Sequence, residues 1–201
     1  HDKSFAIIVE YLHVASLLHD DLVDEAGRRR GKPTAHSIYG NSTAVLVGDY
    51  LMARALAIAV AQMGKRAIEI VADVTANLVQ GEIHQLMNRG RRELTEEEYL
   101  EVIHRKTALL IRGACQLGAL MAGAPADQEE ALADYGLNIG MAFQLMDDLL
   151  DYTADSAVLG KNKGADLREG KLTLPLIAAL RNVDSPEREF LEELIRRREF
   201  S

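Results

Sequence analysis

The sequence predicts one all-α domain, a helical bundle, over residues 1–201. Three observations carry this reading. Proline is scarce, at four residues, so few helices are interrupted. Apolar residues recur at three- and four-residue steps rather than alternating. Ala, Leu, Glu and Arg dominate, all good helix formers, and no linker, low-complexity tract or fixed-period repeat divides the chain. At 48% hydrophobic the chain can bury a sizeable core.

The first helix is expected from about Ser4 through Asp24, with Ile7, Ile8, Tyr11, Leu12, Ala15, Leu18 and Leu22 on its apolar stripe. Ala26 to Thr34 reads as a loop, holding Gly27, three arginines, Gly31 and Pro33. A second helix opens near Asn41 and Ser42, either able to cap it, and ends before Gly64. A third runs from about Arg66 to Asn88, and the polar stretch Arg89 to Leu94 breaks the pattern. Thr95-Glu96-Glu97-Glu98 has capping-box spacing and opens a fourth. Lys106-Thr107 stands at a change of register before a run to Met121. Gly123-Ala124-Pro125 ends that run, and Asp127 is the expected cap of a helix carrying Tyr135 through Asp151. Thr153 to Gly170 reads as a loop, and Ser185-Pro186 as the cap and first residue of a last helix to Arg198.

Charge excludes some functions. Lys plus Arg number 23 against 31 Asp plus Glu, a net charge of −8, so no nucleic-acid partner is expected. The single cysteine, Cys115, forms no internal disulfide. There is no run of 18 apolar residues, so no membrane-spanning helix is expected. Residues 1–12 carry Asp2, Lys3 and Glu10 and lack a basic-then-apolar order. No export signal is read there, and the expected location is cytoplasmic. The chain opens on His1 and reads as a fragment.

The informative residues are acidic. Asp20, Asp21 and Asp24 share one face of the first helix. Like charges at that spacing destabilise a helix by roughly 0.2–0.5 kcal/mol per pair. The spacing recurs at Asp147, Asp148 and Asp151, again late in a helix and after an apolar run. One such triplet is an ordinary solvated face; two identical copies call for a cation. Oxygen-only donors suit Mg²⁺ or Ca²⁺ rather than zinc, and no EF-hand loop is present. Mg²⁺ keeps waters and bridges to substrate phosphates, and basic residues follow both triplets: Arg28, Arg29, Arg30 and Lys32, then Lys161, Lys163, Arg168 and Lys171. No P-loop occurs, so a nucleotide is not the first candidate.

These residues resemble the trans-type isoprenyl diphosphate synthases, the polyprenyl synthetases. The resemblance covers about residues 5–180 and rests on the segments 17–34, 45–51, 140–152 and 159–176. It implies a bundle around a central cavity, usually homodimeric. It also implies a prenyltransferase that condenses an allylic diphosphate with isopentenyl diphosphate, head to tail. Mg²⁺, three ions with substrate bound, would be held by Asp20, Asp21, Asp24, Asp147, Asp148 and Asp151, with Asp20, Asp24 and Asp147 the leading direct ligands. Arg29 matches a grip on the allylic diphosphate and Arg30 one on isopentenyl diphosphate, which His13 also contacts. Lys106, Thr107, Gln144, Lys161 and Lys171 match allylic-diphosphate or cation-site positions, and Gln85 lines the cavity. Complete members carry an upstream Gly-Gly-Lys-x-x-Arg element and further C-terminal helices, both expected outside this chain.

The resemblance also bears on product length. In the family, bulky aromatics four and five residues before the first Asp stop elongation. Here Ser16 and Ala15 stand there, with Leu12 one turn further. The expected product is longer than farnesyl diphosphate: a long all-trans chain, such as a quinone side-chain precursor, with geranylgeranyl diphosphate the shorter alternative. An apolar product would draw the enzyme to membrane surfaces. Rival readings are another class I terpenoid synthase, such as a cyclase, a subunit of a heteromeric synthase, and a non-catalytic helical interaction protein.

Overall fold

The structure, a computed structural model, describes residues 2–62, 64–91, 93–153 and 164–197. Helices follow one another: α1 (Asp2–Val23), α2 (Ala35–Tyr39), α3 (Asn41–Gln62), α4 (Lys65–Asn88), α5 (Glu96–Ile103), α6 (Leu109–Met121), α7 (Ala126–Thr153), α8 (Ala165–Arg168), α9 (Leu174–Asn182) and α10 (Ser185–Arg197). A π-turn, His104–Ala108, joins α5 to α6. It coincides with the change of register read at Lys106-Thr107.

Several ends follow the expected chemistry. Thr95 Oγ1 accepts from the Glu98 amide at 3.1 Å, and Glu98 Oε2 accepts from the Thr95 amide at 2.9 Å, a complete capping box. Others differ. The loop after α1 contains a small hairpin, Arg28–Arg29 paired with Lys32–Pro33. Its two turn residues, Arg30 (φ 49°) and Gly31 (φ 77°), both lie in the left-handed region that a tight two-residue hairpin demands. Gly40, not Asn41 or Ser42, supplies the first carbonyl of α3, accepting from Ala44 at 3.2 Å. Asp127 lies inside α7 rather than capping it. At α10 the Asp184 carboxylate accepts from the Glu187 amide at 3.3 Å, so Asp184 takes the capping role expected of Ser185. Helix α9 was not expected.

Two apolar cores result. Ile8 and Leu12 of α1 pack with Ala55, Ala59, Ile70, Val71, Val74 and Leu117 of α3, α4 and α6. Leu94, Tyr99, Ile103, Leu167, Leu176, Ile177, Leu180 and Ile195 form the other, around α5, α8, α9 and α10. The π-turn lies between elements of both. Arg105 anchors it to α4, donating to Asn77 Oδ1 at 2.7 Å and Gln80 Oε1 at 2.6 Å.

Two glycines let neighbouring helices reach this turn. A Cβ at Gly81 of α4 would lie 2.8 Å from the Lys106 nitrogen. A Cβ at Gly140 of α7 would lie 2.6 Å from Ala108 Cα. Both obstacles are backbone, which cannot step aside as a side chain would. The α1–α3 contact is as close: a Cβ at Gly48 would meet the His19 ring at 2.2 Å. His19 Nε2 lies 3.2 Å from the Val45 carbonyl and 3.4 Å from Asp49.

Although no run of 18 apolar residues occurs, Asn41–Ala61 is long and apolar enough to cross a membrane by length and composition alone. Asp49 and Arg54 interrupt the apolar run but leave the average high. Its exposed residues include Leu46, Tyr50 and Val60.

Gly140→Ala is expected to cost about 1–3 kcal/mol of stability through overpacking. Gly118→Ala, whose Cβ meets nothing within 4 Å, is expected to gain roughly 0.5–1 kcal/mol from helix propensity. Denaturant midpoints of the two variants should move in opposite directions; movement in the same direction would refute this account of the packing.

Candidate active site

Both acidic triplets sit at helix C-termini, where the helix dipole is negative and no basic residue occupies the last turn. Each carboxylate there is disfavoured by roughly 0.3–1 kcal/mol. Compensation arrives from elsewhere in the chain, and each residue of the first triplet has its own cation.

Asp21 is buried and accepts from Arg29 Nε at 2.8 Å. The hairpin makes this contact by folding β1 (Arg28–Arg29) back on α1, while Arg30 stays exposed at the tip. Asp24 takes two cations. Arg89 pairs with its Oδ1, and Lys171 Nζ donates to Oδ2 at 2.7 Å and to Glu169 at 2.8 Å. Burial pushes the Asp24 carboxyl up, but Lys171, then Lys106 and Arg89, outweigh it and hold it below the usual range. Burial would likewise depress Lys171, yet Asp24 and Glu169 raise it above the usual ammonium range.

Asp20 is different. Lys106 Nζ lies 3.5 Å away and also pairs with Glu82. Two largely buried carboxylates therefore share one ammonium. Burial pushes the Asp20 carboxyl up to about 6, with Lys106 opposing and Glu82 and Asp24 adding to the rise. Neither Glu82 oxygen has a hydrogen-bond partner beyond that ion pair.

In the second triplet, neutral donors hold Asp148. Asp148 accepts from Tyr99 Oη at 2.6 Å and from Gln144 Nε2 at 2.8 Å. Burial raises its carboxyl despite both bonds, and burial with the charge of Asp148 raises the Tyr99 phenol. Asp151 is fully buried, with Oδ2 accepting from the Asp166 amide at 3.2 Å. Asp147 is exposed.

The π-turn connects the two ends. Lys106 reaches Asp20 on α1, and the next residue, Thr107, donates to Gln144 Oε1 at 2.9 Å on α7. Lys106, Thr107 and Gln144 are thus brought to the acidic residues. Lys171 joins them through Asp24. Gln85 is half-buried, with an unpartnered buried Nε2. His13 is exposed. Lys161 lies outside the described residues. Ala15 and Leu12 are buried, on the stripe of α1 that carries His19 against α3, whereas Ser16 is half-buried on the side of Asp20. A cleft of about 1040 Å³ lies between α4, α5, α7 and α9, and no residue of either triplet lines it.

Three partners escaped the sequence reading: Glu82, Arg89 and Tyr99. Glu82 carried a signal, since it continues the buried stripe Val71, Val74, Leu78 and Gly81, where a charge is out of place. Tyr99 lies on the buried face of α5 with Val102 and Ile103, where its hydroxyl needed an acceptor. Arg89 carried none.

Among the described residues no three His, Cys, Asp or Glu side chains converge as a ready metal cluster. The donors nonetheless fit a hard cation. All are oxygens, and the Asp20–Glu82–Lys106 group keeps a net negative charge in a buried place.

Asp20→Asn is expected to stabilise the metal-free protein at pH 8, where the ionised buried carboxylate is unfavourable. The melting midpoint should rise by on the order of 5 °C. Because the folded-state pKa is raised, Asp20 takes up a proton as pH falls through about 6. The gain should shrink below that pH, as thermal melts from pH 8 to pH 5 would report. A destabilised variant at pH 8 would contradict the charge assignment.

Comparison with known proteins agrees with the geometry. The polyprenyl synthetase family model matches residues 1–201. The chain is 46% identical over 177 residues to an octaprenyl diphosphate synthase of Escherichia coli (strain K12), covering 88% of this chain and 55% of that protein. It is 44% identical over 195 residues to an all-trans-nonaprenyl-diphosphate synthase (geranyl-diphosphate specific) of Rhodobacter capsulatus, covering 97% and 60%. A crystal structure of a polyprenyl synthase from Caulobacter crescentus CB15, complexed with calcium and isoprenyl diphosphate, superposes with a TM-score of 0.92 at 47% identity. That alignment covers 98% of this chain and 60% of the other. The chain thus spans somewhat over half the length of the curated relatives it matches. Two Asp-rich helix ends, bridged by the Lys106-Thr107 turn on an all-α frame, and a family match over the whole chain place it in the polyprenyl synthetase family.

Proposed function

We propose that the protein carrying this chain is a divalent-metal-dependent trans-prenyltransferase. It condenses an allylic diphosphate with isopentenyl diphosphate, head to tail, to give a long all-trans polyprenyl diphosphate. The observation that carries the proposal is the π-turn, where Lys106 pairs with Asp20 of one acidic end and Thr107 donates to Gln144, which in turn holds Asp148 of the other. The names of the relatives, octaprenyl and nonaprenyl synthases, support the long product.

Asp20, Asp24 and Asp147 would hold Mg²⁺, which when bound supplies Lewis-acid stabilisation of the diphosphate charge. Asp21, Asp148 and Asp151, all buried, position their helices instead. Arg29, Lys106 and Lys171 bind the diphosphate oxygens, with charge-assisted hydrogen bonds. The allylic C–O bond breaks and its electron pair leaves with the diphosphate. The isopentenyl double bond attacks the allylic carbon, a C–C bond forms, and a proton passes from the isopentenyl unit to the released diphosphate as the new double bond forms. Lys106 stabilises the departing charge. The Thr107–Gln144–Asp148 relay fixes the Gln144 amide, so that its dipole is oriented before reaction. Arg30 and His13, both exposed, are assigned to isopentenyl diphosphate.

The apolar outer face of α3, with Leu46, Tyr50 and Val60 exposed, seats a second copy and makes a homodimer. The location is cytoplasmic, with peripheral membrane association through the apolar product.

The test is a product chromatogram. Intact protein with farnesyl diphosphate and labelled isopentenyl diphosphate should give chains longer than fifteen carbons. A product that forms without isopentenyl diphosphate would favour a cyclase instead. Ser16→Phe should shorten the product; an unchanged length would refute its place in the tunnel. Ala15→Phe is a poorer probe, because it also overpacks the α1–α3 contact. By sedimentation, Leu46→Asp should shift the protein from dimer to monomer; a retained dimer would refute the α3 seat.

A further inference from the structure

Arg89 follows α4 and points its guanidinium at the end of α1. Nη2 pairs with Asp24 Oδ1, and Nη1 lies 3.4 Å from the Val23 carbonyl. The side chain is only 21% exposed, and its Nε is buried without a hydrogen-bond partner. The backbone holds it there: the Arg89 amide bonds to the Leu86 carbonyl at 3.2 Å, and the Gly90 amide to the Gly170 carbonyl at 2.9 Å. That last bond ties the turn carrying Arg89 to the segment carrying Lys171, which occupies the other oxygen of Asp24 at 2.7 Å.

A cation approaching Asp24 therefore meets two positive groups already seated. Lys171 has a second carboxylate partner in Glu169, 2.8 Å away, and can swing to it on a flexible stem. Arg89 has a rigid fork, and no second carboxylate is within ion-pair distance of it among the described residues. We propose that Arg89 is a positioning residue that serves as the internal counter-ion of Asp24 and so sets the metal concentration at which the first acidic triplet loads. The proposal rests on the reading that this triplet holds a divalent cation. Arg89 stabilises the metal-free site, where it offsets the charge of Asp24 at a helix C-terminus. It opposes metal by direct charge repulsion, which is strong at short range and partial burial.

The test measures metal affinity rather than turnover. Mn²⁺ alone is titrated into the intact protein and followed by the loss of the free-ion paramagnetic resonance signal; Mg²⁺ alone is followed by calorimetry. Arg89→Met keeps much of the stem and removes the charge, and it should tighten Mn²⁺ binding by on the order of tenfold. Arg89→Lys, which keeps the charge, should stay close to the parent. In an Asp24→Asn background the gain from Arg89→Met should vanish, a coupling that a purely structural role would not produce. Equal or weaker binding by Arg89→Met overturns the proposal while leaving the metal reading intact. No binding by the parent or by Arg89→Met overturns both.

Discussion

Buried negative charge is the constraint on which this structure depends. Asp21, Asp148 and Asp151 are buried, and Asp20 and Asp24 nearly so. A desolvated carboxylate is strongly unfavourable unless it is paired or hydrogen-bonded. Every element around the site is placed where it relieves one of these charges. The hairpin brings Arg29 to Asp21, the end of α4 brings Arg89 to Asp24, α5 brings Tyr99 to Asp148, the π-turn brings Lys106 to Asp20 and to Glu82 of α4, and the segment before α9 brings Lys171 to Asp24. The fold is in that sense arranged around its acidic ends as much as around its apolar cores.

The π-turn is where packing and charge meet. An ordinary α-helical turn at 104–108 would rotate Lys106 and Thr107 relative to α1 and α7. The extra residue lets consecutive side chains reach opposite partners, Asp20 and Gln144. Gly81 and Gly140 make the arrangement possible by removing the Cβ atoms that would hold α4 and α7 away. Small residues on two helices thus set the position of charged residues on a third element, and the apolar packing determines the electrostatics.

The legible part of the site was its local pattern. Asp20, Asp21, Asp24 and their repeat at 147–151 could be read because helical spacing places them on one face, and Thr95 with Glu98 because a capping box is a three-residue relation. The change of register at Lys106 left a trace in the apolar periodicity. What stayed hidden was long-range or dependent on exact backbone geometry. Arg89 lies 65 residues from Asp24, and Tyr99 lies 49 from Asp148. Only the fold brings such pairs together, and one sequence does not encode the pairing visibly. The hairpin was missed because Arg30 adopts a positive φ that glycine or asparagine would have announced. Asp184 displaced Ser185 as a cap because both residue types suit the role and only the chain path decides.

The two triplets share a spacing but differ in the partners around them. The first is opposed by full cations, Arg29, Arg89, Lys106 and Lys171. At the second, Asp148 is held by a phenol and an amide, which orient its carboxylate without cancelling its charge. Lys106 sits between two largely buried carboxylates, Asp20 of α1 and Glu82 of α4, and its ammonium offsets their mutual repulsion.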